Sequence, residues 1–99
     1  MMMRLFMVEF TLPKVLTEGF LKGIPAQRAM VDQMMSTGKI KSYSLTSDRS
    51  RLWVVMKAES EFEIMETIAQ FPLVDYMEPD VQELAFHNTQ EHVLQFSLN

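Results

Sequence analysis

Residues 71–87, F-P-L-V-D-Y-M-E-P-D-V-Q-E-L-A-F-H, decide the fold of this chain. Proline lacks an N–H and its ring clashes with the preceding turn, so Pro72 predicts that a helix ends by about Phe71. The apolar residues that follow form a loop that must pack against the protein's own core or against a second subunit. Pro79 breaks any continuing helix, and we predict a strand from about Val81 to Phe86 after it.

The composition indicates one globular domain. The chain has 99 residues, of which 47% are hydrophobic. A net charge of −4, with no cluster of Lys and Arg, argues against nucleic acid or an anionic membrane as a partner. No apolar run approaches the length of a membrane span, and the amino terminus lacks the apolar core of a signal peptide. We therefore expect a cytoplasmic protein.

The sequence lacks the residues that several kinds of functional site require. Without cysteine there is no disulfide framework, no thiolate zinc site and no Cys nucleophile. The three glycines occur singly, so no phosphate-binding loop is present, and no Gly-x-Ser-x-Gly motif occurs. His87 and His92 lie five residues apart on an extended segment and point to opposite faces, which argues against a metal held by both unless two subunits share it. We expect neither a metal nor a cofactor.

Three strands are predicted before the second helix. Alternating side chains over Met3–Thr11 give two largely apolar faces, typical of a central strand covered on both sides. Ile40–Thr46 and Arg51–Ala58 form two more strands, joined by a polar four-residue turn that indicates a hairpin.

The first helix is predicted to be interrupted. From Thr17, apolar residues recur at helical spacing. Gly23 and Pro25 break this pattern, so we expect a short first piece and a main helix from about Pro25 to Ser36, stopped by Gly38.

A second helix, followed by the strand predicted from Val81, completes the order β-α-β-β-α-β. Ser60 and Glu63 form a capping box, and the helix is predicted to run to about Gln70. This order predicts a ferredoxin-like α+β fold, a four-stranded antiparallel sheet with both helices on one face. The opposite face, with Trp53 and Val55 or their neighbours, would be uncovered, and such a face is an association surface. We expect a homodimer formed sheet against sheet.

The chain divides into a domain over residues 1–87 and a tail over residues 88–99. Apolar residues alternate along the tail. We interpret the tail as an extra strand that docks on the sheet of a partner subunit, with a disordered tail as the alternative.

Three segments resemble the muconolactone isomerase family: M-R-L-F-M-V-E-F-T-L-P from residue 3, F-P-L-V-D-Y-M and D-V-Q-E-L-A-F-H. The similarity covers residues 3–87 and is strongest from Glu61 onward. It implies a dimeric α+β barrel, higher oligomers of dimers, and a cofactor-free isomerase that moves a proton between carbons of a lactone from aromatic degradation. Such chemistry needs a general base that then acts as the acid, with donors that hold the enolate-like charge.

The candidate catalytic residues are Glu9, Tyr43 and His87. Glu9 is the best-placed acid or base by sequence, although a carboxylate at a strand end is commonly solvated. His87 matches the terminal His of the family segment, and the alternative is a strand-end His bonded to backbone. Tyr43 can donate a hydrogen bond to a ligand oxygen.

The candidate substrate-binding residues are Gln27, Arg28, Trp53 and Tyr76. Arg28 reaches a pocket mouth if its helix covers one, and Tyr76 offers a hydroxyl donor. Trp53 either walls a pocket or belongs to the core or an interface.

Departures from the family pattern support a second hypothesis. By an approximate register, the family carries a carboxylate, a His and an Arg where this chain has Gln27, Ser42 and Leu45. The second hypothesis is therefore a non-catalytic small-molecule binding or assembly module. A third, from fold analogy alone, is a cofactor-free or haem-dependent monooxygenase-like dimer. An RNA-recognition domain is set aside, because the third strand lacks that family's basic-Gly-aromatic pattern.

Overall fold

The computed structural model describes residues 3–90, and the tail strand predicted beyond them lies outside the described residues. The elements follow the predicted order: β1 (Arg4–Thr11), α1 (Glu18–Thr37), β2 (Ile40–Leu45), β3 (Arg51–Ala58), α2 (Glu61–Ala69), a 3₁₀ helix (Val74–Tyr76) and β4 (Glu78–Glu83). The four strands form one antiparallel sheet in the order β2-β3-β1-β4, which confirms the ferredoxin-like prediction.

β1 lies at the centre of the sheet, as predicted. It pairs with β3 on one side and β4 on the other. Its alternate residues Phe6, Val8 and Phe10 are fully buried on the face that carries the helices. Side chains alternate along a strand, so Leu5, Met7 and Glu9 occupy the second face.

The core is completed by α2 and the loop after it. Ile64 and Ile68 of α2 are buried, and the Ser60 hydroxyl accepts the Glu63 N–H at 3.2 Å to begin the helix. The Glu63 side chain accepts the N–H of Glu59 instead of that of Ser60, one residue further than the capping box predicts.

The loop around Pro72 packs against the domain's own core, one of the two alternatives that its apolar sequence left open. Phe71, Leu73 and Met77 are all buried. The ring centroids of Phe71 and Phe10 lie 5.9 Å apart, so the loop contacts the central strand directly.

The predicted break in the first helix is wrong, because α1 runs without interruption through Pro25. Pro25 removes the donor for the carbonyl of Leu21, but both residues are exposed, so water can replace that hydrogen bond. Thr17 caps the helix and Gly38 ends it with a φ of 84°. Tertiary packing at both ends of the helix outweighs the local cost of the proline.

The predicted position of β4 is also wrong. The strand covers Glu78–Glu83, three residues before the predicted range, and includes Pro79. β4 is an edge strand, paired only with β1, and an edge strand tolerates a proline because one side of it needs no ladder hydrogen bond. The N–H of Leu84 still donates to the Leu5 carbonyl at 2.8 Å, but Phe86 lies beyond the strand.

The second face of the sheet is only partly uncovered. Trp53 is 39% exposed, as an association surface requires, but Val55 is 2% exposed, which corrects its predicted uncovered state. Val55 pairs with Met7 on one side and Ser42 on the other, in the middle of the sheet, where neighbouring side chains shield it. No helix among residues 3–90 is long and apolar enough to cross a membrane.

The β2–β3 turn is held by one carboxylate. Asp48 Oδ1 accepts the hydroxyls of Thr46 and Ser50, at 2.8 and 2.7 Å, and the Ser50 N–H at 3.0 Å. These bonds, with that of the Ser50 hydroxyl largest, lower the pKa of Asp48 from 3.8 to about 2. Arg49 adopts a φ of 62°, a left-handed conformation that costs a side-chain-bearing residue about 1–2 kcal/mol.

We predict that Asp48→Asn removes a pH-dependent part of the stability. The folded pKa lies below the unfolded one, so the ionised carboxylate stabilises the fold above about pH 4, and this contribution is lost as the pH falls from 3.8 towards 2. Urea unfolding across this range should show the difference between wild type and Asp48→Asn shrinking with acid. Ser47→Ala is the control, because its hydroxyl takes no part in the network, and an equal pH dependence there would contradict the prediction.

Candidate functional site

A cavity of about 570 Å³ lies between α1 and the helix-bearing face of the sheet. This volume is within the range of small-molecule sites. Of the twenty residues of α1, only Phe20 and Gln27 are buried, so the helix covers the sheet without closing on it. The walls are mostly aliphatic and aromatic and come from α1, the sheet and the loop before β4, including Phe20, Ile24, Val31, Leu52, Val54, Phe71, Leu73 and Met77.

Gln27 is the buried polar group of this cavity. Its Oε1 accepts the N–H of Leu73 at 3.1 Å, which joins α1 to the loop before β4. Its Nε2 is buried and has no hydrogen-bond partner among residues 3–90. A buried amide N–H without a partner is costly, so a ligand oxygen that reached this group would remove that cost.

Two arginines also line the cavity, Arg28 from α1 and Arg49 from the β2–β3 turn. Both are exposed, so their charged groups belong to its solvent-facing mouth. Within the described part of the chain, neither forms an ion pair; the described ion pairs are Arg4–Glu83, Lys22–Glu18, Lys39–Glu63 and Arg51–Glu9. The mouth therefore carries two arginines that form no ion pair with a described carboxylate.

Tyr43 reaches the cavity because of an irregularity in β2. The register shifts between Ile40 and Ser42, so Ile40 pairs with Met56 while Ser42 pairs with its neighbour Val55. One extra residue in a strand turns all following side chains over. Tyr43 and Leu45 thus line this cavity, while Ser42 lies on the other face.

The cavity offers hydrogen-bond donors and no strong base. None of the described lining residues is a carboxylate or an imidazole. The amide of Gln27, the guanidinium groups of Arg28 and Arg49, and the hydroxyl of Tyr43 can hold the oxygen atoms of a ligand. No group of three or more His, Asp and Glu side chains that could hold a metal occurs in residues 3–90.

Three of the predicted site residues lie on the opposite face of the sheet. Glu9 forms an ion pair with Arg51, Oε2 to Nε, at 2.9 Å. Trp53 and His87 line a second cavity of about 340 Å³ together with Met7, Ser42, Ser44 and Val55. The His87 Nε2 is buried without a hydrogen-bond partner in the part of the chain that the structure describes.

Tyr76 packs against Phe20, a residue of the first cavity's wall. Its ring packs edge-on against Phe20, with centroids 5.6 Å apart, and is not part of the lining. The structure thus brings together Gln27, Arg28 and Tyr43 of the predicted residues. Sequence reasoning missed Arg49, which stands in a polar turn where no periodic pattern assigns a direction to a side chain.

Two comparisons with known proteins give matches. The sequence profile of the muconolactone delta-isomerase family matches residues 3–90. A solved structure with a TM-score of 0.68 is 5-chloro-2-hydroxyhydroquinone dehydrochlorinase from Burkholderia phenoliruptrix AC1100, in complex with 2,5-dihydroxybenzoquinone. The two proteins share 16% identity over 84% of this chain and 95% of that one, a likeness of fold. No match was found among curated protein sequences.

We predict that Gln27→Leu lowers the free energy of unfolding by about 1–3 kcal/mol, because the buried Leu73 N–H loses its acceptor. Urea unfolding measures the change. Gln33→Leu makes the same chemical replacement at an exposed position of α1 and should stay within about 0.5 kcal/mol of wild type. Equal losses in the two variants would show that the bond to Leu73 does not matter.

Proposed function

The chain belongs to the muconolactone delta-isomerase family, and on that premise we propose that it binds a lactone or related small carbonyl compound and shifts a proton between two of its carbons. The site of this reaction is the cavity between α1 and the sheet. The observation that carries the proposal is the arrangement of that cavity: an apolar interior with a buried amide donor at one place and cations at the mouth.

The proposed chemistry uses donors to stabilise charge. Removing a proton beside a carbonyl places negative charge on the carbonyl oxygen, and donors in a dry cavity stabilise that charge strongly. Gln27 Nε2 has no described partner and is suited to this oxygen. Arg28 holds a second oxygen of the substrate at the mouth. We assign these two residues to binding and to charge stabilisation.

Tyr43 is the group we propose for the proton transfer. In its ionised form the Tyr43 oxygen takes the proton from one carbon, which leaves the negative charge on the substrate oxygen, and the resulting phenol returns the proton to the second carbon. Neither the guanidinium groups nor the apolar wall can do both. A positioned acid–base group contributes about a hundredfold to ten-thousandfold to a rate. We assign no step to Glu9 or His87 in this cavity, because they lie across the sheet from it.

The second candidate function is binding without turnover. The absence of a carboxylate or imidazole from the described lining favours it, because these are the usual proton-transfer groups. A chain of this kind would hold an oxygenated ring compound with Gln27 and Arg28 and leave it unchanged.

The deciding experiment is an absorbance assay of muconolactone and related lactones with purified protein. The compound in the complex of the structural neighbour, 2,5-dihydroxybenzoquinone, belongs in a parallel binding panel. Turnover would support the isomerase proposal and exclude the pure binder. Binding of one of these compounds without turnover would support the second candidate, and absence of both would contradict this use of the cavity.

We predict that Tyr43→Phe lowers kcat by about a hundredfold or more and leaves KM nearly unchanged, because it removes the proton-transferring hydroxyl and keeps the ring. Ser44→Ala is the control: it removes a hydroxyl from the next position of β2, on the other face of the sheet. A Tyr43→Phe enzyme with wild-type kcat would leave the reaction without its proposed acid–base group.

We also propose that the second face of the sheet forms a homodimer, supported by the exposure of Trp53. Sedimentation should give a dimer for wild type and a monomer for Trp53→Lys, in which a charge would be buried in the interface. Phe62→Lys, at a 71% exposed position of α2, is the control and should remain a dimer. A monomeric wild type would contradict the proposal.

A further inference from the structure

Arg49 combines two features that the proposed reaction does not use. It is the one residue other than glycine with a positive φ among residues 3–90, and it is one of the residues that line the cavity. A residue kept in an unfavourable conformation at a ligand site suggests that its direction matters. Asparagine or glycine would occupy the same position of the turn at lower cost.

The turn around Arg49 is well fixed. Asp48 accepts three hydrogen bonds within it, and the Arg49 N–H donates to the Thr46 carbonyl at 2.9 Å. The Thr46 hydroxyl also accepts the N–H groups of Ser50 and Arg51, both at 3.1 Å. These bonds hold the backbone of Arg49 in place, so the base of its side chain is set before any ligand arrives.

The guanidinium group of Arg49 also has no ion-pair partner among residues 3–90. Its neighbour Asp48 is engaged by Thr46 and Ser50, and no ion pair joins Arg49 to a carboxylate in the described residues. Guanidinium groups bind carboxylates and similar anions through paired hydrogen bonds. An arginine with a fixed backbone and no ion-pair partner in the described residues, at the mouth of an apolar cavity, is suited to an anionic group on a ligand.

We propose that Arg49 is a specificity-determining residue that makes the cavity select ring compounds with a negatively charged oxygen, either a carboxylate or an ionised ring hydroxyl. Its guanidinium binds the charged group at the mouth, while Gln27 Nε2 meets an uncharged oxygen inside. The inference rests on the proposed function, because it names the substrate class of the same cavity. It assigns Arg49 no part in the proton transfer.

The test is calorimetric titration of wild type and Arg49→Asn with two matched pairs of ligands. The first pair is muconolactone and its methyl ester, and the second is 2,5-dihydroxybenzoquinone and its dimethyl ether. The uncharged member of each pair has its acidic oxygens masked by methyl groups, one carboxyl in the lactone and two hydroxyls in the quinone. Arg49→Asn should weaken binding of an anion by about tenfold or more and that of its uncharged partner by less than about twofold. Loss with the lactone indicates a carboxylate, and loss with the quinone indicates an ionised hydroxyl.

Two further variants exclude simpler explanations. Arg49→Lys keeps the charge and should restore part of the affinity for the anion, although it lacks the paired geometry. Arg4→Asn makes the same replacement at the start of β1, away from the cavity lining, and should change neither ligand by more than about twofold. The melting temperature of Arg49→Asn should not fall, because Asn adopts a positive φ more readily than Arg.

The results that would contradict the role of Arg49 differ from those that would contradict the proposed function of the cavity. If wild type binds the anions and Arg49→Asn binds them equally well, the role of Arg49 is wrong and the proposed cavity function stands. An equal loss for charged and uncharged ligands would likewise overturn charge selection. If wild type binds neither pair, both the proposed ligand class and the inference about Arg49 fall together.

Discussion

The hydrogen bond from the Leu73 N–H to the Gln27 side chain fixes the loop before β4 against α1, and the shape of the cavity depends on it. This contact is close because Gly23 stands one turn before Gln27; a Cβ at position 23 would lie 2.6 Å from Leu73 Cδ2. Phe20 and Gln27 are the buried residues of α1, and Ile24, Met30, Val31 and Met34 are partly buried against the core, so the helix lies on the sheet without burying the whole of its inner side.

The choice of glutamine at this position constrains the chemistry. An amide stays neutral at any pH, so it satisfies the Leu73 N–H without the desolvation cost of a buried carboxylate. The same neutrality prevents Gln27 from acting as a base. Gln27 therefore both stabilises the loop and offers a hydrogen-bond donor, and another group must act as the acid and base. In this cavity the Tyr43 hydroxyl is the side chain that remains for it.

Local patterns predicted the architecture well and the site only in part. Alternation along β1 separated Phe6, Val8 and Phe10 from Glu9, but periodicity does not say which face of a sheet bears a cavity, and Glu9 lies on the other one. Pro25 and Pro79 predict breaks in a helix because that is the local preference of proline. Pro25 lies on the exposed surface of α1, and Pro79 lies in an edge strand that has one unpaired side. The hydrogen bond that each proline cannot donate therefore costs little. Both conditions are properties of the whole fold.

The register shift in β2 decides which of its residues line the cavity, and the sequence does not show it. A regular strand from Ile40 would place Ser42 and Ser44 on the helix-bearing face and turn Tyr43 and Leu45 away. The extra residue between Ile40 and Ser42 reverses that assignment, so Tyr43 lines the cavity and the two serines lie on the second face. No composition signal marks such a shift, because it depends on how β2 pairs with β3. One inserted residue therefore decides which alternate side chains of β2 line the cavity and which lie on the face proposed for association.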